Sequence, residues 1–119
     1  MYEIIFYEDE NGQSDVINYI KKLEAGAATN KESRIKLNKI VAYMDLLEEM
    51  GTRIGEPVTK HLEGELWELR PLKDRILYAY YKENKFLILH HFAKKTRKAP
   101  KREIERAKRN LYDFIERNR

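Results

Sequence analysis

The chain has 119 residues and a net charge of +4; 42% of residues are hydrophobic, 37% are charged, and none is cysteine. That length supports one modest core, and the lack of cysteine excludes disulfides, thiol catalysis and thiolate metal sites. No apolar run approaches the roughly 18 residues of a membrane span and no basic-then-apolar leader opens the chain, so no membrane association and a cytoplasmic location are expected.

Tyr2, Ile4, Ile5, Phe6 and Tyr7 predict a first strand, which acidic Glu8 to Glu10 and the Asn11-Gly12 turn bring to an end. Ser14 or Asp15 suits a helix cap, and Val16, Tyr19, Ile20 and Leu23 follow at helical spacing up to Gly26. Asn30 opens a second helix with a stripe of Leu37, Ile40, Val41, Met44 and Leu47, closed by Gly51, so a helical hairpin is predicted. Gly55, Pro57 and Gly64 mark a loop region with a short strand from Val58 to Leu62. Three strands follow, Glu65 to Arg70, Arg75 to Lys82 and Phe86 to Phe92. The short Pro71–Asp74 and Glu83-Asn84 connections between them predict an antiparallel meander. Pro100 suits the first turn of a last helix, with Ile104, Ala107, Leu111 and Ile115 on one face and Lys101, Arg102, Lys108 and Arg109 on the other. Strand, two helices, strand run and helix together predict a single α+β domain over residues 1–119, its helices packed on one face of the sheet.

Charge is unevenly spread. Lys94 to Arg119 carries a net +7 and the rest of the chain −3. Such a patch favours a polyanion, above all nucleic acid; the competing reading is a solvated, solubilising helix. His90 and His91 are neighbours on a strand and point to opposite faces, and no His-Glu-x-x-His pattern accompanies them, so no metal or other cofactor is expected. The glycines are scattered, and the only serines, Ser14 and Ser33, lie in the N-terminal helical region, which argues against a phosphate-cradling loop and a serine nucleophile.

Hairpin topology draws four distant cations together. Arg70 and Arg75 flank one turn, and the last strand, antiparallel to that of Arg75, returns to the same end of the sheet at Lys94 and Lys95. The alternative is that the arginines pair with Glu68 and Asp74 while the lysines are merely solvated. RNA carries its own nucleophile, the 2′-hydroxyl. Guanidinium forks can hold the phosphate and stabilise the phosphorane charge, and a lysine crowded by cations becomes a usable base.

Leu66-Trp67-Glu68-Leu69-Arg70, Arg75-Ile76-Leu77-Tyr78, His90-His91-Phe92-Ala93-Lys94-Lys95-Thr96, and Pro100 before a helix with Glu103 and Ala107 resemble the HigB branch of the RelE/ParE toxin superfamily. These are the toxin halves of bacterial type II toxin–antitoxin modules. The resemblance implies a RelE-like, microbial-ribonuclease-like α+β fold: N-terminal helices covering a twisted antiparallel sheet, with a C-terminal helix. It implies a ribosome-dependent mRNA endonuclease that needs no metal, a HigA-like helix-turn-helix antitoxin as partner, and operator DNA bound only through the antitoxin complex. Arg70 and Arg75 match the family's arginines and are expected to bind the scissile phosphate. Lys95 is the first candidate for proton transfer or phosphate contact, with Lys94 as its alternate. His61 is either an acid/base partner or a surface histidine. Lys60, Arg97, Lys98, Lys101 and Arg102 are expected to hold the RNA backbone. No tyrosine follows Lys95 where some relatives have one, which leaves the general base unassigned. A ParE-like inhibitor of DNA gyrase and a non-catalytic nucleic-acid-binding module are the alternatives. Lys21, Lys22, Lys36 and Lys39 on the N-terminal helices offer a surface to the antitoxin.

Overall fold

The computed structural model describes residues 1–119. Strand β1 (Glu3–Phe6) leads into helix α1 (Asp15–Gly26). Ser14 caps that helix, its Oγ accepting the Ile17 N–H at 3.1 Å. Helix α2 (Lys31–Met50) begins in the same way, with Asn30 Oδ1 accepting the Ser33 N–H at 3.0 Å. Gly51 ends it at φ 66°, where the Tyr2 ring packs so closely that a Cβ would stand 2.8 Å from it. After one 3-10 turn (Gly51–Ile54) come β2 (Thr59–Glu63), β3 (Leu66–Leu69), β4 (Asp74–Tyr81), β5 (Lys85–Ala93) and helix α3 (Lys101–Arg117). No helix is long and apolar enough to cross a membrane.

The sheet runs β1-β5-β4-β3-β2. The β2–β5 meander is antiparallel as predicted, but β1 lies parallel to β5, so the sheet is mixed. A strand's own residues do not encode which way it pairs. Here the helical hairpin sits between β1 and the meander and returns the chain so that β1 closes the free edge of β5, with the Glu3 N–H on the Asn84 carbonyl at 2.9 Å.

The helices do not share one face. Val16 and Leu23 of α1 and Ile40 and Leu47 of α2 pack on Leu69, Ile76, Tyr78 and Ile88. Ala107 of α3, with Ile104, Leu111 and Phe114, packs on Leu66, Leu77, Ala79, Leu87, Leu89 and Phe92 on the other side. The expectation of one covered face is thus corrected. Its physical signature was present in the apolar runs Ile76–Tyr81 and Phe86–Leu89. Strands covered on both faces lose the polar alternation of a half-solvated sheet. A β-bulge opposite Leu77 and Tyr78 shifts the register of β5 just before its two histidines. Because α3 first meets the sheet near Ile104, the end of that face beside the Pro71–Asp74 turn stays open.

Candidate functional site

Side-chain alternation decides what lines this open end. Glu68 and Arg70 share a parity on and just after β3, and Arg75 on β4 stands opposite Phe92 on β5, with Lys94 two residues on. All five border a cleft of about 390 Å³, whose remaining walls include Lys60, Leu62, Arg97, Lys98 and Ile104.

Arg75 is the best-held side chain of the cleft, at 6% exposure. Its Nη1 donates to the carbonyls of Leu72 (2.8 Å) and Asp74 (2.7 Å), and its Nε lies 3.5 Å from Glu68 Oε1. Burial lowers its pKa from the ordinary guanidinium value; the Glu68 charge opposes that and the Arg70 charge adds to it. Glu68, also 6% exposed, stands between the two arginines, since Arg70 Nε is 4.0 Å from the same oxygen. Arg70 Nη1 reaches Glu56 Oε1 at 3.2 Å, while its buried Nε–H has no hydrogen-bond partner. Such a donor costs about 1–3 kcal/mol when unsatisfied.

The turn carrying both arginines is fixed from behind. The buried Asp74 carboxylate accepts the Tyr19 hydroxyl at 2.9 and 3.0 Å and the His91 Nε2–H at 2.9 Å, and the Tyr19 and His91 rings stack 3.8 Å apart. Burial, then Asp74, pushes the Tyr19 hydroxyl well above its ordinary pKa. The Lys94 N–H donates to the Lys73 carbonyl at 2.7 Å, which sets Lys94 beside Arg75.

His90 faces a different way and joins three elements. Its Nδ1 bonds Asp15 at the start of α1, and its Nε2 bonds Glu103 in the first turn of α3 at 2.7 Å. Burial disfavours the charged ring, but hydrogen bonds to the two carboxylates outweigh it and raise the pKa above 6.5. This clasp anchors the start of α3 and so bounds the Arg97-Lys98 wall.

The structure therefore gathers Arg70, Arg75 and Lys94 with Lys60, Arg97 and Lys98, and leaves others out. Lys95, the first lysine candidate, is exposed and does not border the cleft. The period of two that turns Phe92 and Lys94 inward turns Lys95 away. His61 sits in β2, within the short strand expected from Val58 to Leu62. It borders the cleft edge, but its ring Nε2–H donates to the Gly64 carbonyl at 2.8 Å and its edge meets Trp67. Lys101 and Arg102 stand exposed on the first turn of α3, outside the cleft, and Arg102 reaches Glu103 at 3.7 Å. Convergence and ion pairing, posed as alternatives, occur together: the arginines meet and Glu68 neutralises part of their charge. Glu68 is the residue that sequence reasoning passed over as a counter-ion. The available signal was its parity with Arg70 in a strand otherwise apolar.

Six cations around one buried carboxylate suit a tetrahedral anion whose oxygens take the guanidinium forks, next to an acceptor for a proton. Residues 18–112 match the family described as Phage derived protein Gp49-like (DUF891). No curated protein matches the chain.

Proposed function

The chain belongs to the Gp49-like phage-derived protein family, a toxin–antitoxin-associated family of RelE/ParE-like toxins, and from that premise we propose that it is an endoribonuclease of HigB type that cuts mRNA on the translating ribosome. The observation that carries this reading is the meeting of Arg70, Arg75 and Lys94 around Glu68 in one open cleft. A phosphodiester seated there places its non-bridging oxygens on the two guanidinium groups, and the unpaired Arg70 Nε–H gains an acceptor. Glu68 takes the proton of the 2′-hydroxyl as that oxygen attacks phosphorus. Lys94 gives a proton to the departing 5′-oxygen. The products are a 2′,3′-cyclic phosphate and a 5′-hydroxyl, and every step uses side chains alone. Arg97 and Lys98 on the wall, with Lys60 across from them, hold the neighbouring phosphates; Lys101 and Arg102 extend the positive surface toward ribosomal RNA.

A HigA-like helix-turn-helix antitoxin is the proposed partner and the bacterial cytoplasm the proposed site of action. The test is purified protein in a translating extract with primer extension along the mRNA. Cuts in the reading frame that disappear with Arg70→Ala are expected. Intact mRNA together with inhibited supercoiling by DNA gyrase would move the chain to the ParE-like activity, and intact mRNA with plain RNA binding to a non-catalytic role.

A further inference from the structure

Behind the Arg70–Arg75 turn, a second depression of about 690 Å³ lies between the start of α2 and the turn itself. Ile35 and Leu72 both line it, 46% and 47% exposed. Lys31, Lys36 and Lys73 stand around them, with Glu32 as the lone carboxylate, already bound to Lys36 at 3.0 Å. Lysine stems extend an apolar wall while their ammonium groups reach water at the rim. Exposed aliphatics that line one depression from two elements, rimmed by charge, mark a contact surface. Leu72 also has φ 58°, in the left-handed region that a leucine occupies only where its surroundings impose it. Its carbonyl is one of the two that hold Arg75.

We propose that this groove docks an acidic, amphipathic segment of a partner protein, with aliphatic side chains between Ile35 and Leu72 and carboxylates on Lys31, Lys36 and Lys73. Charge complementarity selects the occupant, because the Lys36–Glu32 pair cancels and Lys31 and Lys73 leave a positive rim that repels a basic segment. The apolar floor sets it apart from a phosphate site: a nucleic-acid backbone has no use for two aliphatics and finds its guanidinium groups on the other side of the turn. For a toxin, the partner with such a segment is the neutralising antitoxin; that identity rests on the function proposed above, whereas the groove's chemistry does not. A segment seated here presses on Leu72, whose carbonyl holds Arg75, so occupancy reaches the cleft through one hydrogen bond without covering it.

The full chain, labelled with nitrogen-15, is titrated with three probes: a short synthetic helical peptide of leucines flanked by glutamates, the same peptide with serines for leucines, and oligouridylate. The leucine–glutamate peptide is expected to shift the amides of Lys31 to Lys36, Leu72 and Lys73, and to bind about tenfold more weakly to Ile35→Asp and to Lys36→Glu. The serine peptide is expected not to bind, and oligouridylate to shift Arg70, Arg75 and Lys94 instead. Ile35 is half exposed, and Lys36→Glu exchanges a surface pair with Glu32 for a weak surface repulsion, so both variants should stay folded. Unchanged peptide affinity in the two variants, or groove shifts caused by oligouridylate rather than by the peptide, would overturn the proposal. None of these readouts requires RNA cleavage, so an inactive parent protein would end the ribonuclease reading and leave this one standing.

Discussion

The two sides of the Arg70–Arg75 turn are separated by a few residues and hold opposite kinds of unfinished business. On the cleft side the groups are buried and charged: Glu68 between two arginines, and an Arg70 N–H with no acceptor. On the groove side they are apolar and wet: Ile35 and Leu72, rimmed by lysines. A buried donor without a partner calls for an anion; a wet aliphatic pair calls for another apolar surface. On the two readings proposed above, one turn separates a place for phosphate from a place for protein, and the most direct way to break the contrast is to remove Arg75. Arg75→Ala leaves the Glu68 carboxylate buried without its nearest charge, a loss of about 3–5 kcal/mol. It should also slow cleavage by roughly a hundred- to a thousandfold. The double change Arg75→Met with Glu68→Leu is expected to restore the melting temperature without restoring cleavage. Restored cleavage would show that the arginine on this side supports the fold and not the chemistry.

Glu68→Gln sharpens the same side. It keeps the shape and removes one negative charge from the cleft, so RNA affinity should hold or rise while cleavage falls on the order of a hundredfold or more. An RNA whose 5′-bridging oxygen is replaced by sulfur, which leaves without being protonated, should not rescue this variant but should rescue Lys94→Ala. Equal rates for parent and Glu68→Gln would take the proton acceptor out of the mechanism. The lysine pair gives a smaller effect. Lys94→Ala should cost about 1.5–3 kcal/mol of transition-state binding, a ten- to hundredfold loss, and Lys95→Ala should cut at close to the parental rate. The reverse order would mean that the end of β5 rotates when RNA binds.

That lysine pair also shows how far the residues could be read without coordinates. Hairpin connectivity was enough to bring Arg70, Arg75 and the Lys94-Lys95 pair to one end of the sheet, because it depends only on which turns are short. Choosing between the lysines required parity counted from Phe92, and parity survives only if no bulge intervenes; the bulge before His90 lies just upstream. Capping at Ser14 and Asn30 was legible because it is local. The parallel pairing of β1 and the opposite face of α3 were not, since both depend on where the helices come to rest. Glu68 was hidden for a different reason. A carboxylate two residues before an arginine reads as a surface pair until burial is known, and burial is set by elements outside its own strand.

The smallest expected effect lies in the clasp that anchors the cleft wall and leaves the groove alone. His90 links Asp15 of α1 to Glu103 of α3, while the groove is built from α2 and the turn. The folded protein favours the charged ring, since the pKa of His90 is raised above 6.5. The stability it supplies is complete below about pH 6.5, the value for the unfolded chain, and is lost as pH rises through the higher folded value. Melting temperature is therefore expected to fall between about pH 6.5 and the folded pKa, and Glu103→Gln should flatten the decline by withdrawing one of the two carboxylates. Across the same range RNA affinity should weaken slightly, because Arg97 and Lys98 precede the anchored helix. Peptide binding at the groove should not change. A groove affinity that follows the melting curve would join the two sides of the turn into one titrating unit and remove the separation on which both ligand assignments depend.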